Sequence, residues 1–255
     1  MLRRRVIPTL LISEGGLVKP RGFRRPTYLG DPINAVRIFN DKEVPELVVL
    51  DIDATRAGRG PDFSLVRELA TECFIPLCYG GGVTTVREIG TVLEIGVEKV
   101  AMNSVLFEQS GLLTEAARLF GSQSLVASID ARASWPWGVR AYSHGGTRRQ
   151  KMGPVEHAKL IEGAGAGEIL LTSIEREGSM AGYDLDLIRS VAGAVGIPVI
   201  ACGGAGSADD FRLAVEEGSA DAVAAGSFFV FEGPHRAVLI SYPDESELRR
   251  ALEPA

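Results

Sequence analysis

The chain alternates between short apolar runs and longer segments in which apolar residues recur every three or four positions. The runs are rich in Val, Ile, Leu and Ala and lack strict alternation, which is typical of strands buried on both faces. They predict eight strands, at residues 5–12, 46–51, 76–79, 99–102, 124–129, 168–172, 198–201 and 222–225. The segments between them predict helices, among them residues 62–73, 85–96, 154–163, 184–195 and 208–218.

One pattern occurs twice, running from an Ile-Pro pair through clustered glycines to a small polar strand end. The first copy consists of residues 75–76, 80–82 and 103–104, and the second of residues 197–198, 203–206 and 226–227. We therefore predict an α/β fold, a single-domain (β/α)8 TIM barrel built from two half-barrels, at about residues 1–122 and 123–255. A doubly wound open sheet is the alternative, which the repeat disfavours because two like halves close on each other.

Glycines at the ends of strands let backbone N–H groups approach an anion closely. The first predicted phosphate site consists of Gly81, Gly82, Asn103 and Ser104, and the second of Gly178, Gly203, Gly204, Gly226 and Ser227. Tight strand-to-helix turns also require glycine, but two sets at matching places favour phosphate binding. Two sites at opposite rims predict a phosphorylated small molecule with a phosphate at each end.

Carboxylates at the ends of predicted strands are candidates for acid–base chemistry. Asp130 follows an apolar run, so we expect it at the barrel mouth as the catalytic residue, with an exposed loop aspartate as the alternative. Asp51, Asp53, Glu175 and Glu177 are secondary candidates, because they could equally cap helices or pair with loop cations.

Two long connections, at residues 13–28 and 132–153, carry clustered basic side chains. In a barrel both would lie at the C-terminal face, where such proteins build their sites. We expect Lys19, in the first connection, to meet an anionic substrate, although solvated loop charges are the alternative. Trp135 and Trp137, in the second, could form a lid or pack within their own loop.

The charge, the length of the apolar runs and the cysteine and histidine spacing limit the classes of partner and cofactor that we expect. A net charge of −6 argues against nucleic acid. The apolar runs are too short to cross a bilayer and the N-terminus lacks a signal-peptide pattern, so we expect a cytoplasmic protein without a membrane partner. The three cysteines and three histidines show no metal-ligand spacing, so we expect neither a metal nor a cofactor.

Several motifs together resemble HisF, the cyclase subunit of imidazole glycerol phosphate synthase, over essentially the whole chain. They lie at residues 80–82, 121–123, 129–130, 165–174, 182–184 and 203–206. The resemblance implies a (β/α)8 barrel that receives ammonia from a HisH-like glutaminase docked at its bottom. It implies that the ammonia is used at the top to split and cyclise a bis-phosphorylated ribulosyl intermediate.

The family's ammonia gate is a ring of four charged residues at the bottom of the barrel. The matching residues here are Arg5, Glu46, Lys99 and Glu168, each at the start of a predicted strand. Two cations and two anions can pair into a closed ring, and a purely structural ion network is the alternative. Glu98 and Gln123 match positions that face the glutaminase in the family.

The resemblance fails at the reaction centre. The family has catalytic aspartates at the ends of strands one and five; Asp130 matches the second, but Leu11 stands at the first. Cys78, Tyr79 and Cys202 also stand where smaller or hydroxylated residues are usual. Leucine cannot transfer a proton, so we expect cyclisation to be slowed by orders of magnitude.

These departures resemble a narrower branch, the HisF-like acetamidino-modification proteins of surface-polysaccharide (lipopolysaccharide) assembly. Branch-like segments lie at residues 5–8, 30–36, 38–43, 78–82 and 235–240. The branch implies ammonia supply to a third, ATP-dependent sugar amidotransferase. The alternatives are a true cyclase in which Asp51 or Asp53 replaces the missing carboxylate, a HisA-like sugar-phosphate isomerase, and a non-enzymatic scaffold. Leu11 disfavours the cyclase and the isomerase, and the charged ring disfavours the isomerase.

Overall fold

The computed structural model describes residues 4–109, 111–233 and 235–252. Eight parallel strands form a closed barrel, because the first strand pairs with both the second and the eighth. In order around the barrel they are β1 (Arg5–Ser13), β2 (Leu47–Asp51), β3 (Leu77–Gly80), β4 (Lys99–Met102), β5 (Leu125–Ala133), β6 (Glu168–Ser173), β7 (Val199–Cys202) and β8 (Ala222–Ala225). All eight predicted strands are present and the (β/α)8 prediction is confirmed, whereas the division into halves near residue 122 stays a prediction.

Helices cover the outside of the barrel. They are α1 (Pro32–Asp41), α2 (Phe63–Glu72), α3 (Val86–Glu94), α4 (Ser104–Glu108), α5 (Leu112–Phe120), α6 (Pro154–Gly163), α7 (Leu185–Ala192), α8 (Ala208–Glu216), α9 (Ser227–Val230) and α10 (Glu245–Leu252). Four of the predicted helices begin one residue after a side-chain cap, namely Asp62, Thr85, Asp184 and Ser207. None of the helices among the described residues is long and apolar enough to span a membrane.

Apolar packing occurs in two places. Large side chains such as Phe39, Phe211 and Phe229 fill the layer between barrel and helices. A second cluster, which includes Ile7 and Val48, fills the inside of the barrel. Because successive strand residues face opposite sides, the inward positions of each strand are two residues apart.

Both long connections contain β-hairpins rather than irregular loops. In the first, strands Gly16–Arg21 and Arg24–Gly30 pair with each other, and Gly16–Arg21 also pairs with β1. In the second, β5 runs four residues beyond its predicted end at residue 129, because its extension pairs with Val139–Ser143. Val139–Ser143 also pairs with Arg148–Arg149, and the turn between these two strands holds residues 144–147. The hairpins bring both connections over the barrel mouth.

Candidate functional site

A cavity lies at the barrel mouth, where the carboxyl ends of the strands meet. Leu11 on β1 and Asp130 on β5 both line it. Strands one and five stand across an eight-stranded barrel from each other, so these two side chains flank the axis. At these two positions one flank carries a carboxyl group and the other a hydrocarbon side chain.

The Asp130 carboxyl group is suited to proton transfer near neutral pH. Burial, with the nearby negative charge of Glu177, raises its pKa from 3.8 to about 7. The Asn103 side-chain amide donates a hydrogen bond to Oδ2 of Asp130 over 2.9 Å and fixes the carboxyl group. A carboxyl group with this pKa can either give or take a proton at neutral pH.

Asp51 and Asp53 are held by protein groups. Both oxygens of Asp51 accept hydrogen bonds from the Arg59 guanidinium, at 2.7 and 3.0 Å, and Oδ1 also accepts two backbone N–H bonds. Burial opposes the charge of Asp53, but hydrogen bonds from Ser13 and Arg56 outweigh it and lower the Asp53 pKa. Neither carboxylate is free to replace the group missing at Leu11.

The other two secondary candidates differ from each other. Glu175 is exposed and does not line the cavity, whereas Glu177 is buried, lines it and forms an ion pair with Lys19. Lys19 is itself only 5% exposed, so it is not a solvated loop cation. The pair joins the first hairpin to the segment that follows β6.

The first hairpin folds over the mouth. At its tip the N–H of Gly22 donates to the carbonyl oxygen of Glu177 over 2.8 Å. Phe23 lines the cavity, and its ring lies so close to Gly146 that a Cβ atom there would approach it to 2.9 Å. The two hairpins thus meet above the cavity.

The first predicted phosphate site opens into the cavity, since Gly81, Gly82, Asn103 and Ser104 all line it. Gly82 has a φ of +72°, and a Cβ atom there would lie 2.5 Å from the carbonyl oxygen of Arg59. The turn alone therefore requires glycine at this position. The Ser104 hydroxyl also accepts a hydrogen bond from the N–H of His144, which joins this rim to the second hairpin.

The residues of the second predicted site do not line that cavity. They are Gly178, Gly203, Gly204, Gly226 and Ser227. Cationic residues lie against them instead: Lys19 against Gly226 and Arg176 against Gly204, while Arg236 donates hydrogen bonds to Gly178 and Ser227. The two rims, alike in sequence, therefore differ in their surroundings.

The four charged residues at the bottom of the barrel form the closed ring that their charges predict. Arg5 pairs with both Glu46 and Glu168, and Nζ of Lys99 lies 3.0 Å from Glu46 and 2.9 Å from Glu168. Burial works against both cations, yet hydrogen bonds and charge from the two glutamates raise the pKa values of Arg5 and Lys99. Both cations therefore stay ionised at neutral pH.

The ring and the cavity occupy opposite ends of one inner surface. On β1, Arg5, Ile7, Thr9 and Leu11 share a strand face: Arg5 belongs to the ring, Ile7 to the inner cluster, and Thr9 and Leu11 to the cavity. Cys78 also lies in the inner cluster, and burial raises the pKa of its thiol well above 9.0, so it stays neutral. The side chains that pack between the two ends are neutral and mainly apolar.

Glu98 and Gln123 are both exposed, near the amino ends of strands. Oε2 of Glu98 accepts a hydrogen bond from the N–H of Leu77, the first residue of β3, over 2.7 Å. Gln123 precedes β5 and donates to the carbonyl oxygen of Phe120 over 3.2 Å. Both therefore lie toward the ring end of the barrel.

Several residues of the site were not predicted from the sequence. Thr9, Ser128 and Thr172 all line the cavity, and Thr9 and Ser128 lie two residues before Leu11 and Asp130, so the two-residue period could have identified them. Arg236 follows Ser227 by nine residues and Gly178 by 58, and its only signal was its place in a branch-like segment.

Comparison with known proteins agrees with this architecture. The histidine biosynthesis protein family matches residues 5–235. Three relatives carry the name "Putative imidazole glycerol phosphate synthase subunit", followed by hisF2, hisF3 and HisF respectively. The Pseudomonas aeruginosa hisF2 protein is 51% identical over 248 residues, covering 97% of this chain and 99% of that protein. The Vibrio vulnificus hisF3 protein is 45% identical over 255 residues (99% and 98%), and the Leptospira interrogans HisF protein 43% over 250 residues (97% and 98%).

The chain therefore belongs to the histidine biosynthesis protein family of (β/α)8 barrels and, within it, to the HisF-like synthase subunits. The narrower acetamidino-modification branch stays a prediction.

Proposed function

We propose that this chain is an ammonia-handling subunit of a glycan amidination system. A HisH-like glutaminase docks at the barrel bottom, near Glu98 and Gln123, and releases ammonia beneath the charged ring. Ammonia passes through the barrel and serves the conversion of an acetamido sugar into an acetamidino sugar by a third, ATP-dependent amidotransferase. A phosphorylated ligand binds at the glycine-rich rims, with Lys19 beside it.

The proposal rests on one observation, which is that the chain combines an intact charged ring with a reaction centre in which Leu11 stands in place of a carboxylate. Arg5, Glu46, Lys99 and Glu168 form a closed ring at one end of the barrel interior. Burying four charges is costly unless they pair, and hydrophobic residues could close a barrel bottom without that cost. Admitting a small polar molecule such as ammonia into the barrel is a function that explains why charged residues occupy this end.

The altered reaction centre argues against ring closure as the chemistry. Cyclisation needs proton transfer on two sides of the forming ring, and the flank opposite Asp130 carries Leu11. Asp51 and Asp53 are committed to Arg59 and Arg56 and do not restore the missing group. Asp130, whose pKa is raised to about 7, suits one proton transfer on its own side of the cavity.

Nitrogen transfer from labelled glutamine tests the proposal. The chain would be combined with the HisH-like glutaminase and the sugar amidotransferase of the same organism, ATP, the acetamido sugar and glutamine carrying ¹⁵N in its amide. We expect ¹⁵N in the acetamidino product only when the chain is present. A Lys99→Met variant should reduce the label while product formation from added ammonium is kept. Equal labelling without the chain would contradict the proposal.

A true imidazole glycerol phosphate synthase subunit is the second candidate. The names of the relatives favour it, and so does Asp130, whose carboxyl group lies in the cavity with a pKa of about 7. In that case Glu177, the second buried carboxylate of the cavity, would have to supply the other proton transfer.

A further inference from the structure

The segment after β8 returns over the second rim. Strands Phe231–Glu232 and Ala237–Val238 pair as a short hairpin, and Arg236 lies beside it. Nη1 and Nη2 of Arg236 each donate to the carbonyl oxygen of Gly178 over 3.1 Å, and Nη2 also approaches the hydroxyl oxygen of Ser227 to 3.4 Å. The guanidinium carbon lies 4.5 Å from the centre of the Phe231 ring. These contacts hold the cation over the rim.

The charge of Arg236 is not balanced by protein. Its hydrogen-bond acceptors, a backbone carbonyl and a hydroxyl group, are neutral, and no carboxylate within residues 4–109, 111–233 or 235–252 forms an ion pair with it. Lys19, which also lies at this rim, is neutralised by Glu177, and the Arg176 guanidinium donates to the carbonyl oxygen of Ala181. An arginine keeps its charge at any physiological pH, so the Arg236 guanidinium brings an uncompensated positive charge to the rim.

The first rim is different. The cations near it are paired, Arg56 with Asp53, Arg59 with Asp51, and Arg148 with Glu108. A dianionic group would therefore bind with a more favourable free energy at the second rim, where its charge meets an uncompensated guanidinium.

We propose that Arg236 is the anion-binding and specificity-determining side chain of the second rim, which receives a phosphate group of the ligand. The guanidinium uses part of its five N–H groups on Gly178 and Ser227 and retains others for a phosphate oxygen. Ser227 accepts from Arg236, which leaves its own proton to donate to the same phosphate. The inference rests on the proposed function only in taking this rim to face the ligand.

Calorimetric titration with inorganic phosphate tests the role of Arg236, using the full chain and Arg236→Gln, Arg236→Lys and Arg249→Gln variants. Arg249 is an exposed arginine of α10, paired with Glu245, and its variant controls for loss of one positive charge. We expect Arg236→Gln to weaken phosphate binding at the second rim roughly tenfold or more, the effect of losing a charge-assisted hydrogen bond. The phosphate affinity of Arg236→Lys should lie between those of the natural chain and Arg236→Gln, because lysine keeps the charge but lacks the planar guanidinium with its several N–H donors. Arg249→Gln should bind phosphate like the natural chain.

The position of the ion is read from crystals of the natural chain grown with phosphate, where density between Arg236 and Ser227 is expected. Unchanged binding in Arg236→Gln would overturn the inference and leave the proposed function standing, because nitrogen transfer is measured separately. Tighter binding in Arg236→Gln would also overturn it and show that Arg236 blocks the rim. If Arg236→Gln does not fold, the Arg236→Lys variant serves as the test. Undiminished phosphate binding by Arg236→Lys would contradict a role for the guanidinium group. Absence of phosphate from the second rim of the natural chain would overturn both the role of Arg236 and the two-phosphate site.

Discussion

Nζ of Lys99 lies 2.9 Å from Oε2 of Glu168, and this ion pair closes the charged ring at the barrel bottom. Glu168 is 7% exposed and Glu46 3%, so removing Lys99 leaves one ring cation, Arg5, to compensate two largely buried carboxylates. We expect Lys99→Met and Glu168→Gln each to lower the free energy of unfolding by about 3 kcal/mol. The double variant restores charge balance and should lose at least 1 kcal/mol less than the sum of the single losses, measured by urea unfolding.

The exposed pair Arg37–Glu72 provides the matched control. Replacing both of its members should leave the urea midpoint unchanged, because solvent screens exposed ion pairs. Strict additivity of the Lys99 and Glu168 losses would contradict a coupled ring.

The Lys19–Glu177 pair makes a second prediction, because it ties the first hairpin to the barrel. In a Lys19→Met variant the buried Glu177 carboxylate loses its cation, so we expect the hairpin to open more often. Trypsin should then cleave faster after the exposed residues Arg21 and Arg24. Lys159→Met removes an exposed lysine of α6 and should not change the cleavage rate. Identical cleavage of both variants would show that the pair does not hold the hairpin.

The raised pKa of Asp130 makes a prediction about stability and pH. Its folded-state pKa of about 7 exceeds the ordinary 3.8, so its contribution to stability is full below pH 3.8 and is lost as the pH rises through 7. Asp130→Asn should therefore be more stable than the natural chain at pH 8, by at most about 4 kcal/mol and by less where cavity water screens the charge. The difference should shrink between pH 8 and pH 5 in thermal unfolding. A pH-independent difference would contradict the assignment.

His157 leads to a prediction with the opposite pH dependence, because here stability is lost as the pH falls. Neither ring nitrogen has a hydrogen-bond partner among the described residues, and the ring stacks on Phe107 with centroids 4.0 Å apart. Burial lowers its pKa from 6.5 to about 4, so the unfolded chain gains a proton that the folded chain refuses as the pH falls from 6.5 to 4. About 3 kcal/mol of stability should be lost over this range. His157→Leu should remove this part of the acid sensitivity, whereas His235→Gln, at an exposed site, should keep it.

The fold could be predicted because its signals are local or repeated. Buried strands are continuous apolar runs, helix starts carry caps such as Thr85, and the repeat favoured closure of the barrel. The extension of β5 to Ala133 was missed, because it depends on pairing with a strand that follows it in the chain.

The candidate site was only partly predictable. The closed ring followed from the resemblance to HisF, which singled out four charges at strand starts. Burial of Lys19 did not, because its partner Glu177 lies 158 residues away in the chain. The different surroundings of the two glycine rims also depend on distant residues, above all Arg236, which no spacing rule connects to Gly178. Sequence periodicity identifies which strand residues share a face, but not which loop returns to cover them.

We propose that Leu11 removed the cyclase reaction and left the barrel's ammonia and ligand sites in place. The most direct test is an ammonia-dependent cyclase assay with the bis-phosphorylated ribulosyl substrate, run on the natural chain, Leu11→Asp and Leu11→Asn. We expect no turnover by the natural chain or by Leu11→Asn, which has a similar shape to aspartate but no acid, and measurable turnover by Leu11→Asp. Robust turnover by the natural chain would contradict the account and identify it as a working imidazole glycerol phosphate synthase subunit.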